Sequence, residues 1–239
     1  MKFSDIQKVY CISLLRRPDR REQVNANLKK AGINFEFFDA VDGERLQIDR
    51  SKLTNAHPWM HNCGNGTFGV IISFAQVLQK AKETGLSNVM IVEDDVEFKE
   101  SFSTDVHAFL NDVPEDWDLI YFGGNHVDHF PIKINDNVSK CVSTRACQAI
   151  IFKDTCYDKV INEIMQFSHA LDEVLAKMQR DRSITAYVSV PPLAWQYGSY
   201  SDIEYTHAHY RFLETYDEKD YEEDRNAKGF RHRNFTDLE

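Results

Sequence analysis

Asn88-Val89-Met90-Ile91-Val92-Glu93-Asp94-Asp95 decides the fold. Val89 to Val92 is a short, wholly apolar run, which predicts a strand buried on both faces. It ends abruptly in Glu93, Asp94 and Asp95. Adjacent carboxylates repel one another and resist burial, so the chain cannot continue inward from them. In an α/β protein, ligands bind outside the carboxyl ends of the strands. Carboxylate oxygens suit hard cations such as Mg²⁺ and Mn²⁺, and those cations suit phosphate. The stretch therefore predicts a metal site that holds a phosphorylated ligand. An acidic loop after a strand is the plainer alternative.

The flanking sequence predicts the rest of an α/β unit. Gly69 opens an amphipathic helix with Val70, Ile71, Phe74, Val77, Leu78 and Ala81 on one face, and Gly85 stops it. Gly69 and Ser73 lie one turn apart, where small residues admit a ligand or simply a packed backbone. Val9 to Leu14 reads as the first strand, and Arg16-Arg17-Pro18-Asp19-Arg20-Arg21 follows at once. Pro18 and Asp19 suit the first turn of a helix, and Gly32 ends it. A strand, a basic loop and a helix start make either a phosphate contact or a solvated face. Phe35 to Val41 is the second strand, with Asp42-Gly43 as its turn. No glycine-rich fingerprint follows the first strand, which argues against an ordinary dinucleotide site.

Residues 44–67 show no period, as expected of a loop that covers a site. His57, His61 and Cys63 lack a fourth zinc ligand at suitable spacing. Trp59 either stacks on a ligand or plugs the core. Downstream, a helix carrying Phe102 and Phe109 precedes strands at Trp117–Phe122, Cys147–Phe152 and Thr185–Val190. Residues 126–146 read as an extended insertion, and Asp154 as the cap of a helix bearing Tyr157 and Val160. A further helix starts at Ala170. Beyond Phe212 the chain is dense in charge and reads as a solvated helix and tail. The expected organisation is one domain over residues 1–212 with a charged extension over 213–239.

The totals limit the function. The chain has 239 residues, 42% hydrophobic and 28% charged, with a net charge of -10. Such an acidic chain makes a nucleic-acid partner unsuitable, but an anionic nucleotide can still be held through a cation. Five cysteines without paired spacing predict reduced, mostly buried thiols. No apolar leader and no apolar run of transmembrane length occur in the chain, so no membrane span and a cytoplasmic location are expected.

Several stretches in order resemble one family. They are Val9–Leu14 with its arginine-rich loop, Phe38-Asp39-Ala40-Val41-Asp42-Gly43, Gly66-Thr67-Phe68-Gly69 through Ser73, Val89–Val96, and Trp195-Gln196 followed by Ser201-Asp202-Ile203. Together they resemble glycosyltransferase family 25, which includes lipooligosaccharide and collagen galactosyltransferases. One position departs: Phe74 stands where the family usually has a histidine. The resemblance implies a GT-A-type nucleotide-sugar-binding fold, with a mixed central sheet flanked by helices. It also implies a UDP-hexose donor, a glycan or protein acceptor, Mn²⁺ (with Mg²⁺ as a substitute) and inversion at the sugar carbon.

The resemblance and the residues agree on the chemistry. Breaking a sugar–diphosphate bond develops negative charge on the leaving group, which a divalent cation neutralises. Asp95 is the first candidate metal ligand, with Glu93, Asp202 and His207 as the others. Asp202, His207 and His209 are equally candidates for a pyrophosphate contact. Leu14, Arg16, Arg20 and Asp42 are expected at the nucleotide sugar, as are Gly69, Ser73, Glu93 and Asp94. Asp172 and Glu173, at a helix start, are candidates for the base that takes the acceptor proton. Helix capping is the competing explanation for Asp172.

Overall fold

Runs that are apolar at every position form strands only where both faces of the sheet are covered. The computed structural model shows that arrangement and describes residues 1–126, 129–203, 206–208 and 213. The strands in chain order begin with β1 (Val9–Ser13), β2 (Glu36–Asp39), β3 (Asn88–Glu93), β4 (Val96–Phe98) and β5 (Leu119–Tyr121). Then come β6 (Asn125–His126), β7 (Ile132–Lys133), β8 (Val138–Lys140), β9 (Thr144–Arg145) and β10 (Ala149–Lys153). The last are β11 (Ala186–Ser189), β12 (Ala194–Gln196), β13 (Ser199–Ser201) and β14 (Thr206–Ala208). The α-helices are α1 (Pro18–Lys30), α2 (Asn65–Glu83), α3 (Phe102–Asp112), α4 (Tyr157–Ile164) and α5 (Leu171–Arg180).

Eight strands form the central sheet in the order β2-β1-β3-β10-β5-β11-β8-β7. β1 is parallel to β2 and β3, and β11 is parallel to β5. β10 runs against both β3 and β5, so the sheet is mixed, as expected. Alternate residues feed two cores. Val9, Cys11, Met90, Val92 and Ile151 pack with Val24 and Leu28 of α1 and Phe109 of α3. Tyr10, Ile12, Ile91, Ile150 and Phe152 pack with Phe74 of α2, Val160 of α4 and Val174 of α5.

Gly32 and Gly85 end α1 and α2 with φ of 72° and 69°, which suits a residue without Cβ. Two helix starts differ from expectation. α2 begins at Asn65 rather than Gly69, because Arg50 reaches over and binds Asn65 Oδ1 at 2.7 Å and the Cys63 carbonyl at 2.8 Å. Asp154 does not cap α4: it opens a short 3₁₀ turn, and the helix starts after Cys156. All five cysteines are free and buried. No helix among the described residues is long and apolar enough to cross a membrane. The charged stretch after residue 213 lies outside the described residues.

Candidate functional site

β1 and β3 are parallel neighbours, so Ser13 and Glu93-Asp94-Asp95 emerge at the same edge of the sheet. Ser13 Oγ donates to Asp94 Oδ2 at 2.6 Å. Arg20, one turn into α1, lies 3.0 Å from Asp94 and 2.8 Å from Asp95, with only 11% of its side chain exposed. Burial opposes the Arg20 charge, yet Asp95 and Asp94 hold its pKa above the usual arginine value. Burial pushes Asp94 up to about 6 against the pull of Arg20. Glu93 is raised well above the carboxylate range, by burial first and then by Asp95, Asp94 and Asp172. Asp172 also acts on Cys147 and Tyr121, so the first turn of α5 faces the same strand end. Gln196 of β12 donates to Glu93 Oε2 at 3.2 Å and lies 3.5 Å from Asp95 Oδ1.

The arginines after β1 are neither a bare solvated face nor an open phosphate cradle. Each is paired with acids. Arg16 contacts Asp202 at 2.7 Å, Asp42 at 3.2 Å and Glu44 at 3.3 Å. Arg17 pairs with Asp19 and with Asp202, and Arg21 with Asp39. Beside them lies a cavity of about 60 Å³ walled by Leu14, Arg16, Gly69, Ser73, Asp202 and Ile203, among others. Gly69 and Ser73 are small for a backbone reason. A Cβ on Gly69 would lie 2.5 Å from the Val41 carbonyl oxygen, and one on Gly43 2.5 Å from the Asn65 backbone. Ser73 Oγ donates to the Gly69 carbonyl at 2.6 Å and accepts the Val41 N–H at 2.9 Å.

The sheet edge thus gathers Leu14, Arg16, Arg20, Asp42, Gly69 and Ser73 with Glu93, Asp94, Asp95 and Asp202. The two base candidates separate. Ala170 precedes α5 and Asp172 is its second residue, so Asp172 is not the N-cap; it accepts the neighbouring Glu173 N–H at 2.9 Å in the first turn. Glu173 is ion-paired at 2.9 Å with Arg145, a side chain 9% exposed. His207 lies on β14 opposite Tyr200, and its side chain, like all of His209, lies outside the described residues. Phe74 is buried against Phe152, with ring centres 6.4 Å apart, and does not wall the cavity. The Phe74 ring fills the core.

His57, His61 and Cys63 are not drawn together as a ligand group. His57 Nδ1 accepts the Trp59 N–H at 3.2 Å, and the His57 ring faces His169 at 5.2 Å. Trp59 packs partly buried against the core. Sequence reasoning did not single out Arg17, Arg145 or the role of Gln196. Arg145 carries no local signal, because it meets Glu173 through the packing of β9 on α5, elements far apart in the chain.

Among the described residues no three His, Cys, Asp or Glu side chains form a ready-made metal cage. A hard divalent cation needs none, since Mg²⁺-like ions are commonly held by one or two carboxylates plus substrate phosphates. Glu93 and Asp95 fit that description: hard oxygens side by side, joined by one neutral amide, in a cluster with more acids than cations. Asp202 fits less well, because both its oxygens face arginines.

The model of a family described as Glycosyltransferase family 25 (LPS biosynthesis protein) matches residues 6–171. A glycosyltransferase 25 family member of Aedes aegypti is 32% identical over 128 residues, 49% of this chain and 21% of that protein. Inactive glycosyltransferase 25 family member 3 of Homo sapiens is 33% identical over 51% of this chain and 22% of its own length. Procollagen galactosyltransferase 2 of Mus musculus is 28% identical over 48% and 20%. The chain therefore spans about a fifth of the curated relatives it matches. Among solved structures, a glycosyltransferase involved in glycosylation of the major capsid of PBCV-1 aligns over 65% of this chain and 64% of its own. That alignment has 9% identity and a TM-score of 0.37.

Proposed function

The chain belongs to glycosyltransferase family 25, and from that premise we propose that it is a metal-dependent, inverting hexosyltransferase. The donor is a UDP-sugar, UDP-galactose or UDP-glucose, and the acceptor is a hydroxyl of a glycan or of a hydroxylysine-type protein. The observation that carries the reading is the convergence of Glu93, Asp94, Asp95 and Asp172 on one sheet edge with Arg20 among them. Such an excess of carboxylate is costly unless a further cation joins it.

Asp95 and Glu93 would hold Mn²⁺ or Mg²⁺, which would neutralise charge developing on the departing diphosphate. Gln196 keeps the two carboxylates side by side by donating to both. Asp94, bonded to Ser13 and Arg20, fixes the strand end rather than reaching the donor. Leu14, Gly69 and Ser73 supply the wall against which a nucleoside packs. Asp172 takes the proton from the attacking hydroxyl, and the Arg145–Glu173 pair holds the first turn of α5 in place.

Asp95→Ala tests the metal assignment. The variant should stay folded and lose Mn²⁺-dependent UDP binding in calorimetry; undiminished Mn²⁺ dependence would remove the assignment. A second reading, a catalytically inactive nucleotide-sugar or glycan-binding module, draws on the relative named inactive. It also draws on Phe74, a core residue at the position where the family usually has a histidine. UDP release that requires an acceptor favours the transferase, and binding without turnover across a broad acceptor panel favours the module.

A further inference from the structure

Three guanidinium groups from the start of α1 converge on one carboxylate that arrives from far along the chain. Asp202 Oδ1 is 2.7 Å from Arg16, Oδ2 pairs with Arg17, and Arg20 lies 3.8 Å away. The Asp202 side chain is 15% exposed. Its backbone is seated on the first turn of α2: a Cβ on Gly66 would meet the Asp202 carbonyl oxygen at 3.1 Å and the Ile203 Cα at 3.3 Å. That turn is the amino end of a long helix, where backbone N–H groups also favour an anion. Asp202 and Ile203 wall the cavity shared with Leu14, Gly69 and Ser73. At about 60 Å³ that cavity is far below the several hundred Å³ of a site that encloses a nucleotide-sized ligand.

We infer that Asp202 is a tethered anion that occupies the seat offered by Arg16 and Arg17 to the diphosphate of the donor, so that donor binding displaces it. This rests on the UDP-sugar reading above and reassigns Asp202 from metal ligand to internal competitor. Guanidinium forks bind carboxylate and phosphate with the same paired geometry, so one anion substitutes for the other. A diphosphate brings more charge and more acceptor oxygens than one carboxylate, so it matches two or three arginines better. Moving residues 202 and 203 off Gly66 removes one wall of the cavity and enlarges it beside Leu14, Gly69 and Ser73. The competition also sets a threshold: only a ligand carrying adjacent phosphates gains enough from Arg16 and Arg17 to replace Asp202.

Inorganic pyrophosphate and UDP, titrated calorimetrically with and without Mn²⁺ at low ionic strength, test the inference. Asp202→Asn keeps the side-chain shape and removes the competing charge. It should bind pyrophosphate roughly tenfold or more tightly than the unaltered protein, the effect of losing one charge-assisted contact from the competitor. The gain should shrink as salt is added. Adding Arg17→Gln to Asp202→Asn should abolish the gain, with thermal melting confirming that both variants fold. Unchanged pyrophosphate affinity in Asp202→Asn overturns the inference. So does a loss of affinity confined to Mn²⁺-containing buffer, which is the behaviour of a metal ligand. The UDP arm separates the two readings. A gain for pyrophosphate with no further affinity for UDP over pyrophosphate would uphold the tethered anion and refute the UDP-sugar donor.

Discussion

Replacing Arg20 by Met removes the cation at the centre of the acidic strand end while keeping most of the aliphatic stem. Arg20 is 11% exposed and faces Asp94 at 3.0 Å and Asp95 at 2.8 Å. Removing one member of a buried ion pair leaves an uncompensated charge and costs about 3–5 kcal/mol. Ser13 still donates to Asp94, and Gln196 to Glu93, which places the expected loss toward the lower figure. The cost must depend on pH. Asp94 is already raised from 3.8 to about 6 by burial, with Arg20 pulling it down; without Arg20 it rises further. A carboxyl raised above its unfolded value stabilises the fold at low pH and loses that contribution as pH climbs through the folded value. Glu93 is raised too and acts in the same direction. Asp19, lowered to about 2 by Arg17, titrates in a separate, more acidic window. The gap between Arg20→Met and the unaltered protein should therefore be wide at pH 8 and narrow near pH 5. Urea melts of the metal-free proteins at both pH values measure it, and millimolar Mn²⁺ at pH 8 should restore part of the loss. Equal stability at pH 8, or a gap that does not shrink toward pH 5, would refute this account of the strand end.

Asp172→Asn should lower the transfer rate by ~10²–10⁴-fold with UDP affinity unchanged, because an amide cannot take the acceptor proton. Glu173→Gln weakens the pair with Arg145 and should cost stability more than rate; steady-state kinetics beside thermal melts distinguish the two, and near-normal rates for Asp172→Asn would remove it from the mechanism. Gly69→Ala sets a methyl 2.5 Å from the Val41 carbonyl oxygen, so α2 must shift. Overpacking of that kind costs about 1–3 kcal/mol, and a chemical melt that matches the unaltered protein would contradict the close approach.

The sheet was legible because its inner strands are apolar at every position. Val89–Val92 and Ile150–Phe152 are short, apolar and rich in β-branched residues, which favours strands covered on both sides. The acidic strand end was legible for the same reason, since nothing else explains an abrupt change from Val92 to Glu93. Local rules failed where a distant side chain intervened. Asn65-Gly66 has turn chemistry, but Arg50 holds it as the first turn of α2. The arginine cluster read as a phosphate contact or a solvated face, because no local pattern reports a carboxylate arriving from residue 202. Nor does any pattern tell Asp172 from its neighbour: Arg145, on a strand packed against α5, pairs with Glu173 and so separates them.

Gly43 meets the backbone of Asn65, and Gly69 meets Val41, so the two ends of the intervening loop are pinned together. Loop-closure entropy grows only with the logarithm of length. Adding length at the exposed positions between these glycines therefore costs little closure entropy, while Arg50, Met60 and Trp59 keep the stretch on α2 and the core and the cavity wall of Gly69 and Ser73 stays fixed. His57 and Trp59 lie in this stretch, and His57 N–H donates to the Ser168 carbonyl just ahead of α5, on the side of Asp172. Variation at the exposed positions there alters what lies beside the first turn of α5. The glycine clasp thus makes the position of Gly69 and Ser73 independent of how long the exposed part of the loop is.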